Sequence, residues 1–414
     1  MSSFLASSRL SRRHFLQSAS AVALAHSLPA VARAQSAHGY RAYVGCYTGT
    51  AGNGEGIYLF DFDAATGALS NRRLVANTPS PSWLAVHPSR KFLYAANEVA
   101  DFNGASGSAS GPKTGSVSAF AIDAATGSLT SLNTVSSKGA EPAYLSLDAT
   151  GRFAFVANYG VGSIAVLPIL PSGALAPAID IIQDKDSLGA TKPTSAPAGS
   201  FAFSGHDAPH AHMIAASPDN RFVLATDLGQ DRIYIYAFDA ATGKLRPAAT
   251  LFATLPTGDG PRHFAFHPNG QWLYSIQEEA STVVLFHYNA ATGALTAQQT
   301  VSALPEGFSG TSFASEILVA PNGKTLYAAN RLHDTMAVFA IGADGRLTYA
   351  GETPTGGDYP VQCRIDPTGR YFFACNRKSD AITTLRIDPA TGLLTPTGQF
   401  TAVGSPASIT FVSV

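Results

Sequence analysis

Beyond residue 40 the chain runs in short apolar stretches that stop at turn residues and then resume, the pattern of strand hairpins. Trp83-Leu84-Ala85-Val86 leads into His87-Pro88-Ser89-Arg90, and Phe92-Leu93-Tyr94-Ala95-Ala96 follows before Asn97. The same hairpin recurs over 144–158, 213–227, 263–277, 316–330 and 362–376. A second signature, polar-Ala-Thr-Gly-x-Leu, appears at 63–69, 123–129, 239–245, 289–295 and 388–394, with degenerate copies at 172–175 and 342–347. Asp or Asn shortly before Gly is hairpin-turn chemistry, with Gly supplying a positive φ. Two signatures alternating with a period of about 50 residues predict four-stranded blades. Six hairpins lie whole within the chain, and the seventh is split: 407–412 resembles its first strand and 42–47 its second. The predicted fold is all-β, a seven-bladed β-propeller of four-stranded blades whose last blade is closed by the N- and C-terminal strands. That closure removes the sheet edges an open ring would expose.

Composition narrows the function. Only 13% of residues are charged, against roughly a quarter in an average globular protein. A formal net charge of −1 supplies no field to gather nucleic acid or an anionic membrane, and no basic run with interleaved aromatics appears.

The first residues follow a different pattern. Ser11-Arg12-Arg13-His14-Phe15-Leu16 precedes an Ala-rich apolar stretch and then Ala32-Arg33-Ala34, a small-x-small cleavage site. Residues 1–34 therefore resemble a twin-arginine signal peptide, with the export machinery as partner. Cleavage there leaves one propeller domain over 35–414, periplasmic or secreted. No later stretch holds roughly eighteen uninterrupted apolar residues, so no membrane span is expected in the mature chain. Of Cys46, Cys363 and Cys375, the last two flank the turn at Asp366-Pro367-Thr368-Gly369 and could approach each other, although pairing is not readable from sequence.

In a propeller the scaffold residues repeat and the site residues should not. Aligned on their turns, the hairpins place Ser82, Ala143, His212, Arg262, Ser315 and Val361 at the opening of the first strand. Sixteen residues later come Glu98, Tyr159, Leu228, Glu278, Arg331 and Arg377. This constant spacing suggests pairs facing across neighbouring strands. If those strands are innermost, both sets ring one mouth of the channel. The candidate catalytic residues are His212, Arg262, Glu278 and Arg331; Glu98, Tyr159, His210 and Arg377 are candidate substrate contacts. Such a mouth suits an anionic, oxygen-rich small molecule. Arg262 opposite Glu278 could also be a purely structural ion pair, and His212 a packed core histidine. A long insertion, 184–208, leads directly into the histidines.

His210 and His212, with His206 and His263 nearby, raise a metal reading. Zinc sites usually need three protein ligands with supporting partners, and a twin-His spacing alone does not supply them. No metal or cofactor is expected. No Gly-rich phosphate loop or Gly-x-Ser-x-Gly elbow is present, so covalent serine chemistry has no support.

At these residues the sequence resembles the lactonase family of seven-bladed propellers, which includes propeller-type 6-phosphogluconolactonases and a fungal carboxymuconate cyclase. The resemblance covers roughly 43–412. It is carried most specifically by Pro209-His210-Ala211-His212, Asp227-Leu228-Gly229-Gln230-Asp231, Gly260-Pro261-Arg262-His263, Gln277-Glu278, Ser315-Glu316-Ile317 and Asn330-Arg331. It implies that the family's catalytic histidine, its two arginines and its glutamate are His212, Arg262, Arg331 and Glu278. Two departures stand out: Gln277 replaces the usual Asn, and the late Pro-Arg motif reads Pro360-Val361, with Arg377 across from it.

Three functions follow as expectations. The first is hydrolysis of a sugar-type lactone, with His212 or Glu278 as general base and the arginines holding the oxyanion. An arginine facing Glu278 favours its ionised form and weakens it as a base, which leans toward His212. The second is muconate-type cyclisation by a lyase or isomerase using the same arginines. The third is a non-enzymatic ligand-binding propeller. Family membership does not carry substrate with it.

Overall fold

The computed structural model describes residues 39–102, 114–200, 202 and 205–414. The expected export signal, 1–34, and residues 103–113 lie outside them. Seven four-stranded antiparallel sheets follow one another along the described chain, each with its strands in sequence order except the closing one. In that sheet Pro406–Ser413 pairs with Tyr40–Cys46, which pairs in turn with Ile57–Asp63. The split seventh blade is thus built as the sequence pattern implied.

The first strand of each blade lies innermost. Pro81–Val86, Pro142–Leu147, Ala211–Ala216, Pro261–Phe266, Phe313–Val319, Pro360–Ile365 and Pro406–Ser413 each touch the next, and the last touches the first. The second strands are apolar almost throughout because both their faces pack against neighbouring blades. Phe153–Asn158 and Tyr371–Asn376 are buried at every position. The outermost strands meet water, and Ala68–Ala76 is largely exposed.

The repeated turn explains its own glycine. Gly67 has φ +78° and Gly173 φ +86°, and a Cβ on either would sit 2.5 Å or less from the ring of Tyr371 or Phe92 in the adjacent blade. The same turns bind blade to blade. The hydroxyls of Tyr43, Tyr94, Tyr274 and Tyr327 donate to the carbonyls of Gly127, Gly173, Gly345 and Gly392 at 2.7–3.0 Å.

Two further expectations are resolved. Cys46, Cys363 and Cys375 are all free and buried. Cys363 pairs across the hairpin with Ala374, so Cys375, the next residue along that strand, points to the opposite face of the sheet. The described part of the insertion after Asp184 forms a strap held by backbone hydrogen bonds. Gly189 N–H donates to Gly229 O, Thr194 N–H to Thr257 O and Gly310 N–H to Gly199 O, carrying the strap across three blades.

Closure by the C-terminal strand predicts a global effect. A chain ending at Gly404 loses the inner strand of one blade and leaves the fully buried Val44 and Tyr43 uncovered. It is expected to lose its cooperative thermal transition, whereas Ile409→Ala, in the same strand, should cost about 2–5 kcal/mol in denaturant unfolding. A truncated chain that melts like the intact one would contradict this closure.

Candidate active site

Every inner strand carries a β-bulge or similar irregularity at its opening, and in six of the seven the residue it frees lines the channel mouth. Pro261 pairs with Gln277 and His263 with Ile276, leaving Arg262 as the extra residue. The same interruption falls at Ser82, Ala143, His212, Val361 and Ala407. In the blade of Phe313–Val319 the irregularity spans Ser315 and Glu316. A bulge leaves one residue unpaired and turns the strand.

The bulge also corrects the expected pairing. Residues sixteen apart at the ring do not face each other, because antiparallel register places Pro81 opposite Asn97. Glu98 then falls opposite Ser80, whose carbonyl accepts the Glu98 N–H at 2.9 Å. Ser80, Glu141, Tyr359 and Ser405 have left-handed φ angles of 39–65°, each just before the proline that begins an inner strand. Non-glycine residues hold such angles only where surrounding structure enforces them, and here they turn the chain at the mouth.

A cavity of about 160 Å³ occupies this mouth, lined by His212, Arg262, Glu278, Arg331, Glu98, Tyr159 and Arg377 among others. Its floor is a charge cluster. Glu278 Oε2 lies 2.7 Å from Arg331 Nη2 and 2.9 Å from Arg262 Nε, with all three side chains 9% exposed. The Arg262 contact is an ion pair, since its Nε–H makes no aligned hydrogen bond. Each guanidinium is also tied to backbone: Arg262 Nη1–H donates to Ser315 O at 2.6 Å and Arg331 Nη2–H to Ala314 O at 3.2 Å. Two cations around one anion leave the floor one positive charge in excess.

His212 stands edge-on to Tyr159 and to His263, at centroid distances of 5.5 and 5.0 Å. Burial, and then the nearby Arg262, hold its imidazole well below the ordinary histidine range, so it is neutral. Its Nδ1 is buried without a hydrogen-bond partner. His263 is held neutral by the same causes, with Nδ1 3.0 Å from Glu316 Oε1 and Nε2 3.4 Å from Arg262 Nη1. Burial pushes the Glu316 carboxyl up to about 7.

The opposite lip differs in character. Tyr47 O–H donates to Glu98 Oε2 at 3.0 Å, and the Arg377 guanidinium lies 3.8 Å over the Tyr47 ring. Crowding by protein raises the Glu98 carboxyl, partly offset by hydrogen bonding and by Arg377. His210 is not at the cavity. It stacks behind Tyr159 at 4.3 Å, with Nδ1 bonded to the Tyr159 carbonyl, so its ring supports Tyr159 instead of facing a substrate. Leu228 and Ser315 also stay out of the lining.

Sequence reasoning missed Tyr47, His263 and Tyr359, all of which line the cavity. Tyr47 had a readable signal: Cys46 pairs with Pro406 as Asn97 pairs with Pro81, so Tyr47 and Ala407 are the ring positions of the split blade. Among the described residues no group of three or more His, Cys, Asp or Glu is arranged to hold a metal ion.

A sheet ring carrying a bulge-presented His, two arginines and a shared glutamate defines a propeller with an enzyme-like mouth. The model of the family described as "Lactonase, 7-bladed beta-propeller" matches residues 41–411, and the chain belongs to that family. It is 32% identical to a 6-phosphogluconolactonase of Bacillus subtilis over 90% of this chain and 98% of that one. It is 35% identical to a 6-phosphogluconolactonase of Pectobacterium carotovorum over 67% of this chain and 76% of that one. Its structure resembles that of the periplasmic gluconolactonase of Pseudomonas aeruginosa with a TM-score of 0.78 and 31% identity, covering 90% of this chain and 99% of the other.

Two outcomes are expected from these electrostatics. Glu278→Gln leaves two buried guanidinium groups without their shared counter-ion and should cost about 3–5 kcal/mol in denaturant unfolding. His212 is depressed in the folded state, so its contribution to stability is present above its unfolded value of about 6.5 and is lost as pH falls below it. Between about pH 7 and pH 5 the unfolding free energy of the wild type should therefore fall relative to that of His212→Asn. Equal slopes in the two proteins would mean that His212 is not held neutral.

Proposed function

We propose that the protein is a lactonase that opens a sugar-type lactone at the propeller mouth. The observation carrying this reading is the pair of backbone-anchored arginines sharing Glu278 beside a neutral histidine. Lactone hydrolysis needs a water to attack the ring carbonyl, a group to receive its proton, and donors for the oxyanion. Arg262 and Arg331 supply fixed cationic donors with one positive charge in excess of Glu278. Glu278 is held between them by two ion pairs, which makes it an anchor for the arginines. His212 is neutral and free at Nδ1, so it is the proton acceptor we favour. As the water oxygen bonds to the carbonyl carbon, its proton passes to His212. When the ring C–O bond breaks, that proton returns to the departing ring oxygen, giving a hydroxy acid.

Glu98 with Tyr47, Tyr159 and Arg377 line the other wall, where hydroxyl groups and any acidic substituent of the substrate would lie. The Arg12-Arg13 segment supports export of the mature chain, and among the described residues no helix is long and apolar enough to cross a membrane. An exported enzyme meets extracytoplasmic sugars, so we favour an unphosphorylated sugar lactone as substrate. This goes beyond what the 6-phosphogluconolactonase relatives suggest.

The test is hydrolysis of gluconolactone, its 6-phosphate and a carboxylated lactone by chain 35–414. Each substitution, His212→Ala and Arg262→Ala, is expected to lower kcat/KM by about a hundredfold or more. Unchanged rates in both would remove the site assignment. Consumption of a conjugated muconate, followed by ultraviolet absorbance, would point to cyclisation.

A further inference from the structure

Outside the cavity, one buried cluster of titratable groups is unused by the proposed chemistry. His206, near the end of the strap, is 5% exposed. Its Nε2 lies 3.1 Å from Asp231 Oδ1 and its Nδ1 3.0 Å from Glu279 Oε1. Both ring nitrogens face carboxyl oxygens, an arrangement in which an imidazolium donates from both sides and is favoured over the neutral ring.

The two carboxylates are attached to the catalytic floor by backbone. Asp231 also accepts Gly258 N–H at 2.7 Å and Gly260 N–H at 2.9 Å. Gly260 is two residues before Arg262, and its carbonyl accepts the Glu278 N–H at 2.7 Å. Gly260 has φ +69°, and a Cβ there would meet Glu279 Oε2 at 2.5 Å, so the segment is closely fitted to the cluster. Glu279 is the next residue after Glu278. The strap adds a second hold through Ser195, whose N–H and hydroxyl both bind the Asp259 carboxylate. None of His206, Asp231 or Glu279 lines the cavity.

Resting on the lactonase reading above, we propose that His206 is a positioning residue: clasped by Asp231 and Glu279, it pins the strap against 258–260 and thereby sets where Arg262 and Glu278 stand. The strap is thus a part of the active-site scaffold that the repeat does not provide. The charged groups acting on His206 are Asp231 and Glu279 from the blades and Asp207 from its own segment. Burial alone would lower the imidazole, but Asp231 and Glu279 outweigh it and raise it to about 9. The clasp is therefore complete below the ordinary histidine value of about 6.5 and is lost as pH rises through about 9.

The test uses chain 35–414 with gluconolactone and its 6-phosphate as probes. His206→Gln keeps the size but cannot donate to two carboxylates from two separate atoms. It is expected to lower kcat about tenfold to a hundredfold with a smaller change in KM, as expected for displaced catalytic groups. A residue acting through Arg262 has little left to lose once Arg262→Lys is made, so His206→Gln should cost less than about twofold in that background. Independently of turnover, hydrogen exchange at 258–263 and 278–280 should accelerate in His206→Gln while the blade of 360–402 keeps its protection. Wild-type kcat in His206→Gln, or equal losses in both backgrounds, overturns the proposal. Where the wild-type protein opens neither lactone, the lactonase reading fails instead, and the clasp is then decided by exchange: unchanged protection at 258–263 overturns it.

Discussion

The structure depends on closing a ring whose ends lie at opposite ends of the chain. Pro406–Ser413 must pair with Tyr40–Cys46 before the inner strands can meet all round. Pairing of such wide sequence separation is slow to form but leaves no open edge once made. The blades then hold one another through local contacts: a tyrosine hydroxyl on a turn carbonyl, and a glycine admitting the neighbour's ring. A mouth residue in one blade is consequently positioned by strands far away in sequence. Arg262 illustrates this, since its guanidinium bonds the carbonyl of Ser315 in the next blade.

Regular strands would not make a site here, because regular alternation sends side chains into the interfaces between blades. The bulge breaks that alternation once in each inner strand, and in six of the seven blades it turns one side chain toward the mouth. The left-handed residues before the leading prolines bend the chain at the same level. Scaffold and site are therefore separated along each strand: the apolar hairpin below the bulge repeats, and the residue at the bulge is free to differ. Ala143, Val361 and Ala407 occupy ring positions without chemistry of their own, leaving the polar work to His212 and Arg262 on adjacent blades.

Much of this was legible in the residue pattern. The hairpins and turns repeat because their packing demands do, so blade number, the split blade and the positions of His212, Arg262, Glu278 and Arg331 followed. What escaped reading has physical reasons. Bulges carry no composition signature here, so the ring was read as cross-strand pairs when it is a set of unpaired residues. His210 and His212 alternate along the chain as a strand would have them, yet the bend at the bulge leaves His210 behind Tyr159. Tyr47 follows from the same register, but only once the two termini are treated as one hairpin. The buried clasp of His206 joins three segments distant in sequence, and no local pattern announces it.

The distribution of charge gives the mouth its chemical character. Glu278 stands between two arginines that would otherwise repel each other in a buried site. The same arginines, with burial, strip the proton from His212. A histidine kept neutral is ready to accept a proton, but burial also makes it reluctant to keep one. The balance shifts when an oxyanion forms beside it, because the new negative charge favours the imidazolium that proton transfer creates. On the proposed mechanism His212 would then be a weak base toward bulk solvent and a strong one only with substrate in place. On that proposal Arg262, Arg331 and His212 act as one unit, and Glu278 is the residue that allows the two arginines to be assembled.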